Sequence, residues 1–222
     1  MTRPLTLILF DVDGTLIDSQ EHILMGMKAA FSANKISLPS QENILATVGL
    51  SLSEAFDQLC PDLDNAKRQS LVAKYKNSFS SIRSNMVPSP LYPGALKCLN
   101  SLRKIDSYVL GIATGKSRRG LDYVLTSSDL AGRFLTEQVS DHHPSKPHPS
   151  MALRAMSDVG ASRGVMVGDT SFDMEMGQAA GLKTIGVTWG YHSTTTLRDN
   201  ADLIVDNFDE LLPAITQILG EV

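Results

Sequence analysis

The stretch Leu5-Thr6-Leu7-Ile8-Leu9-Phe10-Asp11-Val12-Asp13-Gly14-Thr15-Leu16-Ile17-Asp18-Ser19 decides how the rest of the chain is read. It opens as a continuous apolar and β-branched run, Leu5 to Phe10, of the kind that forms a strand buried on both faces in a parallel sheet. The run stops at two acids. Asp11 and Asp13, at i and i+2, project to the same side of an extended chain. Carboxylates so placed repel each other and any phosphate, and a divalent cation resolves the conflict, oxygen ligands favouring magnesium. Ligands of open parallel sheets gather beyond the carboxyl ends of the strands, so the residues that end each further run are where chemistry is expected.

Two more runs end as abruptly, Tyr108 to Ala113 before Thr114 and Val165 to Val167 before Gly168-Asp169, and Lys183 to Val187 and Leu203 to Val205 complete the strand candidates. Helical patterns alternate with them at Gly94 to Lys104, Arg118 to Thr126, Pro149 to Val159, Ser171 to Ala180 closed by Gly181, and Phe208 to Leu219. That alternation predicts an α/β domain with a parallel sheet. From about Leu16 to Pro88 it breaks. Ile23, Leu24, Met27, Ala30 and Phe31 share one helix face, and Leu71, Val72, Tyr75, Phe79 and Ile82 another, so an all-helical block is inserted after the first strand. Its exit, Val87-Pro88-Ser89-Pro90-Leu91-Tyr92-Pro93-Gly94, is the most proline-rich linker in the chain and a natural boundary.

Composition narrows the function classes. With 222 residues, 42% hydrophobic and 20% charged, the chain is of ordinary globular make-up. Twenty basic against 24 acidic residues leave a net charge of −4, the wrong sign for a general nucleic-acid binder and consistent with a small partner. Cys60 and Cys98 form no C-x-x-C, as expected for a reducing cytoplasm. The Leu5 to Phe10 run is too short for a signal-peptide core, and nowhere do about 18 apolar residues run together, so neither export nor a membrane helix is expected.

The remaining strand ends add specific chemistry. Gly168-Asp169-Thr170-Ser171-Phe172-Asp173 supplies one acid at a strand end and a second a helical turn later, able to complete a metal shell. Thr114-Gly115-Lys116-Ser117 offers a hydroxyl and a flexible amide at a helix start, suited to phosphate oxygens. It imitates the tail of a P-loop, but Leu110 stands where that loop needs glycine. Lys146, in Pro144-Ser145-Lys146-Pro147-His148-Pro149, adds a point charge. His142, His143 and His148 suggest a zinc cluster on one view, but with no cysteine near and prolines among them they read as a polar loop beside Lys146. Met174 and Met176 read as core filling. Trp189-Gly190-Tyr191-His192 falls at the rim, where it either lines an entrance or packs as a loop. Lys67, Arg68, Lys74, Lys76 and Arg83 read as a solvated basic face.

D-x-D-G-T at Asp11 to Thr15, then Thr114, then Lys146 before Pro147, then G-D-x-x-x-D at Gly168 to Asp173 resembles, in content and order, the motif set of the haloacid dehalogenase superfamily. The helical insert directly after the first motif is similar to that of the subfamily of phosphoglycolate phosphatases, pyrophosphatases and β-phosphoglucomutase. The resemblance implies a Rossmann-like core, residues 1–16 and 89–222, under an all-helical cap, residues 17–88. It implies Asp11 as nucleophile forming an aspartyl phosphate and Asp13 as general acid and base. It also implies Thr114, the Gly115 amide and Lys146 as phosphoryl-binding groups, and Mg2+ held by Asp11, the Asp13 carbonyl and Asp169 with Asp173 in support. The superfamily's dehalogenases lack the second acid, so Asp13 points to phosphate chemistry.

The expected activity is magnesium-dependent hydrolysis of a small organic phosphomonoester. A phosphosugar mutase, which returns phosphate to substrate rather than to water, is the alternative. An idle binding protein would need no such paired acids. In this subfamily the cap turn, here Thr47-Val48-Gly49-Leu50-Ser51, meets the leaving group, which makes Gly49 a substrate-binding candidate. No Lys or Arg lies between Lys35 and Lys67, so the turn suits a neutral or hydroxylated leaving group better than a carboxylate.

Overall fold

Leu7, Ile8, Leu9 and Phe10 are wholly buried, and that burial sets the first strand, β1 (Thr6–Phe10), in the interior of a parallel sheet. The computed structural model describes residues 4–85 and 87–221, with residues 80–85 described by backbone alone. The side chains of Ile82 and Arg83, assigned above to an apolar and a basic face, therefore lie outside the described residues.

The other strands are β2 (Tyr108–Thr114), β3 (Thr136–Val139), β4 (Arg163–Gly168), β5 (Lys183–Val187) and β6 (Leu203–Val205). They pair in parallel in the order β3-β2-β1-β4-β5-β6. Side chains alternate between the two faces of a strand. Ile8 and Phe10 accordingly pack with α5 (Ala95–Leu102), α6 (Arg118–Ser127) and α10 (Phe208–Ile218), whereas Leu7 and Leu9 meet Met151 of α7 (Ser150–Val159) and Met176 of α8 (Ser171–Ala179). Burial on both faces explains why the strands read as unbroken apolar runs. Strand order reverses between β1 and β4, so the crevice beyond their carboxyl ends is the place for a ligand.

β3 has no such run, and sequence patterning passes over it. Its inward side chains are polar and satisfied by long-range partners: Thr136 Oγ1 donates to Asp158 Oδ2 at 2.9 Å, and Gln138 Nε2 donates to the same oxygen at 2.7 Å.

Between β1 and α5 lie α1 (Gln20–Ala33), α2 (Gln41–Leu45), α3 (Leu52–Leu59) and α4 (Asn65–Asn85). They bury a cluster of their own, in which Phe31, Phe56, Tyr75 and Phe79 follow one another at ring separations of 5.9, 6.3 and 5.0 Å. The two connections to the sheet run side by side. Asp18 N donates to Pro90 O at 2.9 Å, and Tyr92 N to Leu16 O at 3.0 Å. No helix of the described residues is long and apolar enough to cross a membrane.

Candidate active site

β1 and β4 deliver Asp11 and Asp169 side by side, and both are buried. Asp169 is fully held: Thr15 Oγ1 donates to Oδ1 at 2.8 Å and Tyr191 N to Oδ2 at 2.9 Å. Gly14 makes room for this, for its φ is +78° and a Cβ there would lie 2.2 Å from Asp169 Oδ2. Asp173 is held as well. Its Oδ2 accepts from Thr170 Oγ1 at 2.7 Å and from Thr170 N at 3.2 Å, the latter closing a capping box with Asp173 N on Thr170 Oγ1 at the start of α8, and its Oδ1 faces Lys146 Nζ at 2.6 Å.

Asp11 differs. Oδ1 meets Lys146 Nζ as an ion pair at 3.0 Å without accepting an aligned hydrogen bond, and Oδ2 has no partner among the described residues. A buried acceptor left without a hydrogen bond costs about 1–3 kcal/mol, more when charged, so it needs a ligand or a function to explain it. Burial, with Asp173 and Asp13 adding to it and Lys146 opposing, pushes the Asp11 carboxyl up to about 7. Burial first, then Asp173 and Asp11, raises Asp169 well above the usual carboxylate range. Burial acts against the charge of Lys146, but Asp11 and Asp173 outweigh it and hold the ammonium above its ordinary range.

Asp13 lies at the same strand end, receiving Lys116 Nζ at 2.8 Å and the hydroxyl of Ser19. Ser19 Oγ in turn lies 3.1 Å from Tyr191 OH. Four acids, Asp11, Asp13, Asp169 and Asp173, thus face two lysines, Lys116 and Lys146. One oxygen each from Asp11, Asp169 and Asp173 lies within 4.8 Å of the others. An all-oxygen donor set, two more carboxyl groups than lysines and an unpartnered Asp11 oxygen fit a hard divalent cation.

Thr114 ends β2, and its Oγ1 accepts from Lys116 N at 3.3 Å, which leaves the hydroxyl proton for a ligand. A Cβ on Gly115 would fall 2.4 Å from Leu50 O and 2.6 Å from Gly49 O, so only glycine lets the turn Thr47 to Ser51 close over this loop. The turn is docked elsewhere too. Ser51 N donates to Ser145 Oγ at 2.8 Å, beside Lys146, and His192 Nε2 donates to Ala46 O at 3.2 Å. Beneath it is a chamber of about 320 Å3 lined by Asp11, Asp13, Gly49, Thr114, Gly115 and apolar side chains of the helical block.

Asp11, Asp13, Thr114, Gly115, Lys146, Asp169 and Asp173 therefore lie together, with Gly49 at the chamber wall. Asp173 differs in detail from a metal supporter, because both its oxygens are engaged by Lys146 and Thr170. Ser19, Thr15, Tyr75 and the tie from Lys116 to Asp13 were not foreseen. Of these only Thr15, inside the first motif, and Ser19, four residues beyond it, stood where a signal could be sought.

The open alternatives also resolve. Both ring nitrogens of His143 are taken, by Ser150 Oγ at 2.8 Å and Gln138 Oε1 at 2.9 Å, and no histidine joins the metal-ligating group found among the described residues. Trp189 is packed, 4.7 Å from the Phe208 ring, with Nε1 donating to Thr15 O at 3.0 Å, while Tyr191 braces Asp169. Met174 and Met176 are buried core. Lys67 pairs with Asp64, and Arg68 with Asp57.

Comparison with known proteins gives the family. The family model described as haloacid dehalogenase-like hydrolase matches residues 8–187. The chain is 35% identical to a "Probable phosphatase IndB" of Dickeya dadantii, over 96% of this chain and 94% of that one. It is 28% identical to the pyrophosphatase PpaX of Bacillus mycoides, over 96% and 98%. The crystal structure of a predicted phosphatase from Clostridium acetobutylicum superposes with a TM-score of 0.85 at 26% identity, covering 97% of this chain and 100% of that one.

Proposed function

The chain belongs to the haloacid dehalogenase-like hydrolases and is a phosphatase of that family, and we propose that it hydrolyses a small organic phosphomonoester, with Mg2+, through an aspartyl phosphate on Asp11. The observation that carries this reading is the unpartnered Oδ2 of Asp11, buried at the end of β1 on a residue that lines the chamber. Such an oxygen is free to attack phosphorus.

Attack forms the Asp11 O–P bond as the bond from phosphorus to the leaving oxygen breaks, and Asp13 gives that oxygen its proton. Water then attacks the phosphorus of the acyl phosphate, Asp13 takes the water's proton, and inorganic phosphate leaves with Asp11 restored. Thr114 Oγ1, the Gly115 amide and Lys146 hold the transferring oxygens and offset their charge. Asp173 positions Lys146, and Ser19 and Lys116 orient Asp13. Asp11, the Asp13 carbonyl and Asp169 would hold the magnesium ion, which supplies positive charge to the phosphoryl oxygens. Residues 17–88 serve as a cap on a core of residues 1–16 and 89–222, excluding water during transfer and opening for release.

The test is turnover of an aryl phosphate with Mg2+, with Ca2+ and with chelator, beside acid-quench trapping of the phosphoenzyme. Mg2+ should support turnover, Ca2+ poorly, and Asp11→Asn should leave no acid-labile phosphate on the protein. Undiminished activity in chelator, or a phosphoenzyme in Asp11→Asn, refutes the assignment. Transfer to a sugar phosphate rather than to water, dependent on a sugar bisphosphate, would replace it with the mutase.

A further inference from the structure

Resting on the hydrolase reading, we propose that the substrate is the phosphate monoester of a ring-bearing, hydroxylated alcohol of about nucleoside size, not that of a two-carbon acid or pyrophosphate. The size comes from the chamber. Its 320 Å3 lie open on one side beneath the turn Thr47 to Ser51, which is already hydrogen-bonded to the core, so this is the space left under a docked turn. At roughly 30 Å3 per water it has the capacity of about ten waters. A phosphoryl group on a two-carbon acid would leave much of that space to solvent.

The polarity comes from the wall. Away from the acids the chamber is faced by Ile23, Met27, Val48, Leu50, Tyr75 and Phe79. An apolar ring gains by leaving water against these side chains, whereas a second phosphate or a carboxylate would lose its hydration without a partner. Lys146 is held between Asp11 and Asp173, Lys116 is tied to Asp13 at 2.8 Å, and the other two cations on the chamber lining, Lys76 and Arg119, are exposed at its edge, where pairing with a charge gains little.

The polar substituents have two places to go. Tyr75, its ring clamped between Phe56 and Phe79 at separations of 6.3 and 5.0 Å, is one of the lining side chains and carries a phenol hydroxyl. A smaller groove of about 140 Å3 continues the chamber past Lys76 and Ser117 and is lined by Ser51, Ser53 and Ser140, a hydroxyl-rich exit.

The test is steady-state kinetics of the full chain with saturating Mg2+ on phosphoglycolate, pyrophosphate, glycerol phosphate, phenyl phosphate, ribose 5-phosphate and the common nucleoside 5′-monophosphates. A difference of even one methylene in an apolar pocket is worth about 10–200-fold, so the best ring-bearing ester should exceed phosphoglycolate and pyrophosphate at least tenfold in kcat/KM, chiefly through KM. Ala55→Met, which narrows the chamber, should cut that preference by about tenfold. Phosphoglycolate or pyrophosphate as best substrate overturns the inference and leaves the hydrolase reading standing. So does an unchanged preference in a folded Ala55→Met. If no ester is turned over at all, phenyl phosphate included, the hydrolase reading fails and takes the inference with it.

Discussion

Asp11→Asn should make the metal-free protein more stable at neutral pH while abolishing its chemistry. The Asp11 carboxyl lies at about 7 in the folded chain against 3.8 for the free side chain, chiefly because burial disfavours its charge. Its folded pKa is raised, so below about pH 4 both states hold the proton and the residue costs nothing. As pH rises toward 7 the unfolded chain has released the proton and the folded chain still holds it, so stability falls; above about 7 the loss is complete. From pH 5 to 7 that is two units at about 1.4 kcal/mol each, or about 3 kcal/mol, which for a chain of this size is ~6–12 °C in melting temperature. An amide of the same shape carries no such charge and leaves Lys146 paired with Asp173. Thermal melts in chelator at pH 5 and pH 8 should therefore show the gap between variant and wild type widening by this amount at the higher pH. Saturating Mg2+ should close it by raising the wild type. A gap that does not change with pH, or a variant less stable than wild type at pH 8, would refute the claim that the site stores uncompensated charge.

Three further substitutions probe separate parts of the site. Asp13→Asn removes general acid catalysis, worth about 10²–10⁴ in rate, so an alkyl phosphate should lose more of its turnover than an aryl one, and equal losses would count against Asp13 as the proton donor. Lys146→Met leaves Asp11 and Asp173 facing each other in a buried site; removing one partner of such a pair costs about 3–5 kcal/mol, and a urea titration in chelator at pH 8 showing under about 1 kcal/mol would contradict the buried pairing. Gly115→Ala places a methyl 2.4 Å from Leu50 O, so the cap turn must lift. Its KM should rise at least tenfold on any organic ester, by analogy with the cost of a misplaced methylene, and an unchanged KM would show that the turn is not packed there during binding.

What was legible in the sequence, and what was not, follows from where the determining contacts lie. Asp11, Thr114 and Asp169 each stand at the end of a strand buried on both faces, so an apolar run and its polar stop are neighbours in the chain and a short window shows both. β3 lacked that signal because its inward Thr136 and Gln138 are satisfied by Asp158, 22 and 20 residues away. Asp173 was only half legible. Its capping partner Thr170 is three residues away in a recognisable pattern, but the lysine that occupies its other oxygen is 27 residues upstream, and nothing local announces that pair. Tyr191 and Ser19 are 172 residues apart and meet only because β5 ends beside β4, one strand away from β1.

The substrate wall escapes for a different reason. Ile23, Met27 and Tyr75 belong both to the buried cluster of the helical block and to the lining of the chamber, and a helical period of 3.6 marks them as inward-facing in either case. Periodicity reports that a side chain leaves bulk water; it does not distinguish burial against another helix from burial against a ligand. The absence of Lys and Arg between Lys35 and Lys67 excluded a charged grip at the turn. The size of the space under it depends on how the turn docks on Gly115 and Ser145, contacts that join segments more than 60 residues apart. The strand ends mark the acids within a short window, whereas the chamber is formed only where two distant parts of the chain meet.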